Sequence, residues 1–206
     1  MTAAEAMPVP EESKEQPLAV RVGAELVGSF FICFAIYTIC TLDAIVSNLN
    51  MAFIALMTGA AYAVMTLVFG KISGGQFNPA VSIAAMLTGK THVLDGILYI
   101  IAQLLGGIGA GAALRFLLPT SEQVPFKSWL SLAVNGFDKA SISYSTLSSL
   151  GLSFGITLAV VVELIAGLII VATAMRSMGE RGASNTKHAI AMGLAYAVGT
   201  TITYPV

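Results

Sequence analysis

Of 206 residues, 56% are apolar and 10% charged, with a mean hydropathy of +0.85. A soluble domain averages about 25% charged residues, so the composition excludes an ordinary soluble fold and reads as a polytopic membrane protein. The net charge of −1 gives no basis for a nucleic-acid or anionic partner.

Met1 to Pro17 carries three Pro and four Glu without an apolar core, so it is neither a signal nor a transit peptide and reads as a disordered cytosolic tail over 1–17. Val22 to Leu42 is the first predicted span, interrupted by one carboxylate, Glu25. Cys33 and Cys40, seven apart on that helix, sit about 10 Å apart along its axis, too far for a disulfide, and are expected to be packing residues. Asn50 to Gly70 is the second span.

Ser73-Gly74-Gly75-Gln76-Phe77-Asn78-Pro79-Ala80-Val81 follows. Asn78 is a good N-cap, and Pro79 at the first helical position gives up an amide that the helix has no use for, so a helix is predicted to begin there. From Pro79 to Leu87 it is only about 14 Å long, against a hydrocarbon core of about 30 Å. Lipid cannot satisfy the irregular backbone before it, so this half-helix must be re-entrant, surrounded by protein or lining a water-filled cavity.

Gly96 to Leu114 is the third span, with Gly107 and Gly111 spaced for close helix packing. Pro119 to Leu150 is a long polar loop with Glu122, Lys127, Asp138 and Lys139, expected to cross between halves of the molecule. Gly151 to Met175, interrupted by Glu163, and Ala189 to Val206 complete five spans. His92 and His188, near helix ends, are expected in solvated or interfacial positions. Arg21, Lys71, Lys90, Arg176, Arg181 and Lys187 flank one set of span ends, whereas Asp43 to Leu49 has no Lys or Arg, which predicts a cytoplasmic amino terminus.

The phrase Ala24-Glu25-Leu26-Val27-Gly28 returns as Val162-Glu163-Leu164-Ile165-Ala166-Gly167. With an odd number of spans per half, such a duplication is inverted, and a transport path would lie between the halves. The first repeat is read over about 18–118, the loop over about 119–150 and a partial second repeat over about 151–206. The two Glu are 138 positions apart, which places a second Asn-Pro-Ala motif at about position 216. The sequence is therefore expected to be truncated before the second half-helix and a sixth span.

On the Ser73–Val81 motif, the Glu phrases, Ala102-Gln103, Gly106-Gly107 and Gly193-Leu194-Ala195, the chain resembles the major intrinsic protein family, the aquaporins and aquaglyceroporins, from about Val20 to Val206. The resemblance implies an all-α aquaporin-like inverted-repeat bundle in the cell membrane, with one pore per subunit. It further implies a homotetramer, and facilitated diffusion of water or small uncharged solutes such as glycerol. Asn78, with Pro79 and Ala80, would stand at the pore centre, its amide donating to the permeant. The carbonyls of Gly74, Gly75, Gln76 and Phe77 would form an acceptor ladder; the family often has His where Gln76 stands.

Glu25 and Glu163 would brace re-entrant loops through backbone N–H groups, the alternative being a proton or cation site. Thr58 and Thr200 would occupy filter positions where water-selective relatives have an aromatic residue and His, leaving a wider polar opening; the alternative for each is a packing Thr bonded one turn back. The remaining filter residues, including an Arg, would lie beyond Val206. A coupled secondary transporter would need paired intramembrane charges, and a membrane enzyme a cluster of His, Cys, Asp or Glu; the sequence offers neither, and no cofactor or metal is expected. A truncated, non-conducting remnant of such a channel is the other alternative.

Overall fold

The computed structural model describes residues 15–44, 50–129, 136–141, 143–179 and 185–204. Most of the predicted tail, the loop 45–49 and Arg181 lie outside the described residues. Among those described, the long elements are all helices: α1 (Leu18–Leu42), α2 (Met51–Ser73), α3 (Pro79–Leu87), α4 (Val93–Leu117), α7 (Ile156–Ser177) and α8 (Thr186–Thr203). The link between halves carries two short ones, α5 (Phe126–Trp129) and α6 (Tyr144–Ser148), with a 3₁₀ turn at Asp138–Ala140.

Helix ends follow local chemistry. Asn50 caps α2 by accepting from the Phe53 amide at 3.0 Å, and Asn185 caps α8 by accepting from the His188 amide at 2.9 Å. α2 stops at Gly74, whose φ of 98° breaks the helix while its N–H closes onto the Gly70 carbonyl at 2.9 Å. The helices of the first half outrun the uncharged stretches because Arg21, Lys71 and Asp95 continue the coil past the apolar boundary. Arg21 and Asp95 pair at 2.5 Å, tying neighbouring ends of α1 and α4 together.

α1, α2, α4 and α7 are each long and apolar enough to cross a membrane. The sequence predicts a fifth span at α8, but among the described helices only those four are both long and apolar enough, and α8 is not one of them. It is 18 residues long, about 27 Å, and starts earlier than its apolar run, through Thr186, Lys187 and His188. Pro205 and Val206, assigned to that span from sequence, lie outside the described residues.

α1 packs against α4 and α2, α2 against α8, and α8 against α7, while α3 lies against both α4 and α7. Small residues set these approaches, as in other membrane bundles. A Cβ at Gly106 would meet the Leu26 carbonyl at 2.6 Å and the Phe30 amide at 2.9 Å, so α4 can approach α1 only with glycine there. This corrects the expectation placed on Gly107 and Gly111. Gly107 faces Cys33 at 3.4 Å and Gly111 faces Tyr37 at 3.9 Å, contacts that do not require glycine.

Where α2 crosses α8, Gly59 and Gly193 stand against each other's backbones, and a Cβ at Gly193 would fall 2.7 Å from the Ala63 Cβ. Gly59→Leu is expected to separate these helices and lower the thermal midpoint in detergent by several degrees, as overpacking costs about 1–3 kcal/mol. An unchanged midpoint would contradict this crossing.

Large apolar residues cover the outside, among them Leu56, Ile108, Leu164, Leu168 and Leu194 on four different helices. Such a surface is suited to lipid and not to water. In the link, the Trp129 indole N–H donates to the Pro119 carbonyl at 2.9 Å, and the Arg115 guanidinium lies 5.2 Å over the Phe126 ring.

Candidate functional site

The segment joining α2 to α3 turns sharply because three of its residues adopt left-handed backbone: Gly74 (φ 98°), Gly75 (φ 67°) and Phe77 (φ 45°). Only glycine adopts this conformation cheaply, and a Cβ at Gly75 would also lie 3.0 Å from the Thr66 side chain. Phe77 is held there from two sides: its amide is bound by Glu25, and its ring fills the space left by the missing side chain of Gly28. Asn78 then returns to extended backbone, φ −152° and ψ 126°.

α3 begins as its residues dictate. The Asn78 Oδ1 accepts from the Ala80 amide at 2.8 Å, and Pro79 occupies the first helical position. With Oδ1 committed to the cap, the Asn78 Nδ2 is turned away from the helix amides. Asn78 and Pro79 are half-buried and Ala80 is exposed. The helix is seated in protein along its other side: Val81 is fully buried beside Ala174, Met178, Met192 and Tyr196.

Glu25, on α1, has no exposed surface and organises the whole turn. Its Oε1 accepts from the Ser73 hydroxyl at 2.6 Å and the Gln76 amide at 3.0 Å; its Oε2 accepts from the Phe77 amide at 2.7 Å and the Gln103 side-chain amide at 2.8 Å. Gln103 also donates to the Ser82 hydroxyl at 2.9 Å, so one carboxylate links α1, the end of α2, the turn, α3 and α4. Ser73, Ser82 and Gln103 were not singled out from sequence as site residues. The available signal was their polarity within or beside apolar runs, which in a membrane demands a partner.

Gln76 is buried, its amide nitrogen donating to Thr91 Oγ1 at 2.7 Å, and its Oε1 has no partner among the described residues. His188 corrects an expectation: it is fully buried and not interfacial, with Nδ1 2.8 Å from the Ser177 hydroxyl and the ring beside the Gly74 carbonyl. α8 enters the bundle one turn earlier than the apolar run implied, which carries His188 inside. His92 is exposed at the start of α4, and Cys33 and Cys40 are free thiols.

Glu163 lies on the exposed side of α7, whereas Glu25 is buried against the turn. Thr58 is buried on α2 and Thr200 half-buried on α8. Thr201 and Thr203 bond carbonyls one turn back at 2.9 and 3.1 Å, whereas neither Thr58 nor Thr200 makes such a bond among the described residues.

A family model described as "Major intrinsic protein" matches residues 12–206. Aquaporin Z of Photorhabdus laumondii is 35% identical over 132 residues, covering 63% of this chain and 56% of that protein. Glycerol uptake facilitator protein-like 6 of Lactiplantibacillus plantarum is 38% identical over 92 residues, 45% of this chain and 41% of that protein. Nodulin-26 of Glycine max is 35% identical over 102 residues, 49% of this chain and 38% of that protein. The chain spans about half the length, or less, of these curated relatives. With its re-entrant, Asn-capped half-helix inside a bundle of apolar helices, this integral membrane chain belongs to the major intrinsic protein family.

Proposed function

We propose that the chain forms part of a passive channel for water and/or small uncharged solutes such as glycerol, acting as a homotetramer in the cell membrane with its amino terminus cytoplasmic, and that it is not an enzyme. The observation that carries this reading is the half-helix tip, with Asn78 capping its own helix through Oδ1 at 2.8 Å, and its Nδ2 is the donor offered to a passing molecule. The tip carries about half a positive charge, so it repels cations and orients water with oxygen toward Asn78. Water held that way does not relay protons.

The carbonyls of Gly74, Gly75, Gln76 and Phe77 replace hydration on the approach to Asn78, with Pro79 and Ala80 completing the tip. Thr58 and Thr200 contribute hydroxyls at the filter. Glu25 acts as a brace and not as a proton site, because three of its four partners, the Gln76 and Phe77 amides and the Gln103 side-chain amide nitrogen, can only donate to it. Glu163 would brace the corresponding loop of the second repeat.

The test is swelling of proteoliposomes that contain the protein, in an osmotic gradient without any ion gradient. Faster swelling than in empty vesicles is expected. Strict dependence on a proton or sodium gradient would replace the channel reading with a coupled carrier.

A further inference from the structure

The two threonines of the expected filter leave a wide opening, but the bulk missing there reappears one helical turn away. Tyr62 lies one turn along α2 from Thr58, and Tyr196 one turn along α8 from Thr200, so each shares a helix face with its threonine. Their rings stack across the α2–α8 boundary with centroids 3.2 Å apart and planes 5° from parallel. The close approach that permits this stack is the crossing of Gly59 and Gly193, one turn or less from each tyrosine.

The pair also adjoins the half-helix. Tyr196 packs on Val81, three residues into α3, and its hydroxyl lies beside the Asn78 side chain. That hydroxyl is buried, in a residue 6% exposed, and has the Tyr62 and Asn78 side chains beside it, yet among the described residues it makes no hydrogen bond of good geometry. A buried phenol without a well-formed hydrogen bond costs about 1–3 kcal/mol unless another polar group completes one. A polar molecule passing Asn78 would do so.

We propose that Tyr62 and Tyr196 form an aromatic collar beside Asn78 that sets the size limit of the permeant, so that water passes and polyols of three carbons or more are held back. The proposal rests on the channel reading above and narrows its substrate class. The threonine rim then admits solutes that the collar rejects, and the Tyr196 hydroxyl serves as a second polar contact next to the Asn78 amide.

The experiment compares wild type, the double variant Tyr62→Val with Tyr196→Val, and the ring-preserving double variant Tyr62→Phe with Tyr196→Phe. All are reconstituted in proteoliposomes, and swelling is driven by water, glycerol and a five-carbon polyol. The valine variant is expected to raise the ratio of glycerol to water permeability about tenfold, the lower end of what a steric pocket discriminates. The phenylalanine variant should keep the wild-type size ranking. Should the valine variant fold poorly by gel filtration, the single change Tyr62→Leu, which keeps apolar volume on α2, is expected to shift the same ratio in the same direction. A wild type that conducts, with solute ranking unchanged in the folded valine or leucine variant, overturns the collar and leaves the channel standing. Vesicles that swell no faster than empty ones with every variant overturn the channel reading and the collar with it.

Discussion

Glu25→Ala is expected to cost on the order of 4 kcal/mol, because it strands buried donors that each cost about 1–3 kcal/mol when left without a partner. The Gln76 and Phe77 amides suffer most, since backbone groups in a left-handed turn have no second arrangement within reach. The turn should open, the Asn78 tip should lose its position, and swelling should fall to the level of empty vesicles at equal protein content. Glu25→Gln keeps the shape but sets an amide N–H against a donor, so about half of that loss is expected. Thermal unfolding in detergent and swelling together read this out. Wild-type values for both in Glu25→Ala would show that the turn is held by something else.

Asn78→Asp separates position from charge. Aspartate caps a helix as well as asparagine does, so the fold and α3 should be retained. The tip, however, now carries a full negative charge in place of an amide. At 4 Å and an effective dielectric constant of 20, a cation gains about 4 kcal/mol from that charge, which outweighs the half-charge of the helix end. Cation leak through reconstituted vesicles is expected to rise by at least about tenfold, even if screening removes most of the attraction. Asn78→Ala, by contrast, should lose about 1 kcal/mol of capping without gaining the leak. Equal ion leak and equal water flux in Asn78→Asp and wild type would remove Asn78 from the path.

The half-helix was legible to the residue because its start is local chemistry: an Asn cap followed by Pro needs no tertiary information. Glu25 was legible for a different reason, as a lone carboxylate in an apolar run demands an internal partner. Which partners it takes was not legible. Ser73 and Gln103 reach it only because α1, α2 and α4 cross at a particular depth, and a linear pattern does not encode depth. The glycine contacts failed in the same way. Gly107 and Gly111 carry the familiar four-residue spacing, but the helix rotation turns Gly106 onto the α1 backbone instead. His188 was misplaced because an apolar run marks where lipid begins, and α8 enters the protein interior before that point. Thr58 and Thr200 were located by resemblance alone, and the stacked tyrosines beside them became visible only once α2 and α8 were seen to meet.

The fit of the Phe77 ring into the notch at Gly28 couples two distant positions in heredity as well as in space. A methyl group at 28 evicts the ring, and a smaller residue at 77 leaves a void, so each change alone is harmful while both together restore the fit. Drift at this pair should therefore be concerted, and lineages that replace the aromatic ring are the ones free to abandon the glycine.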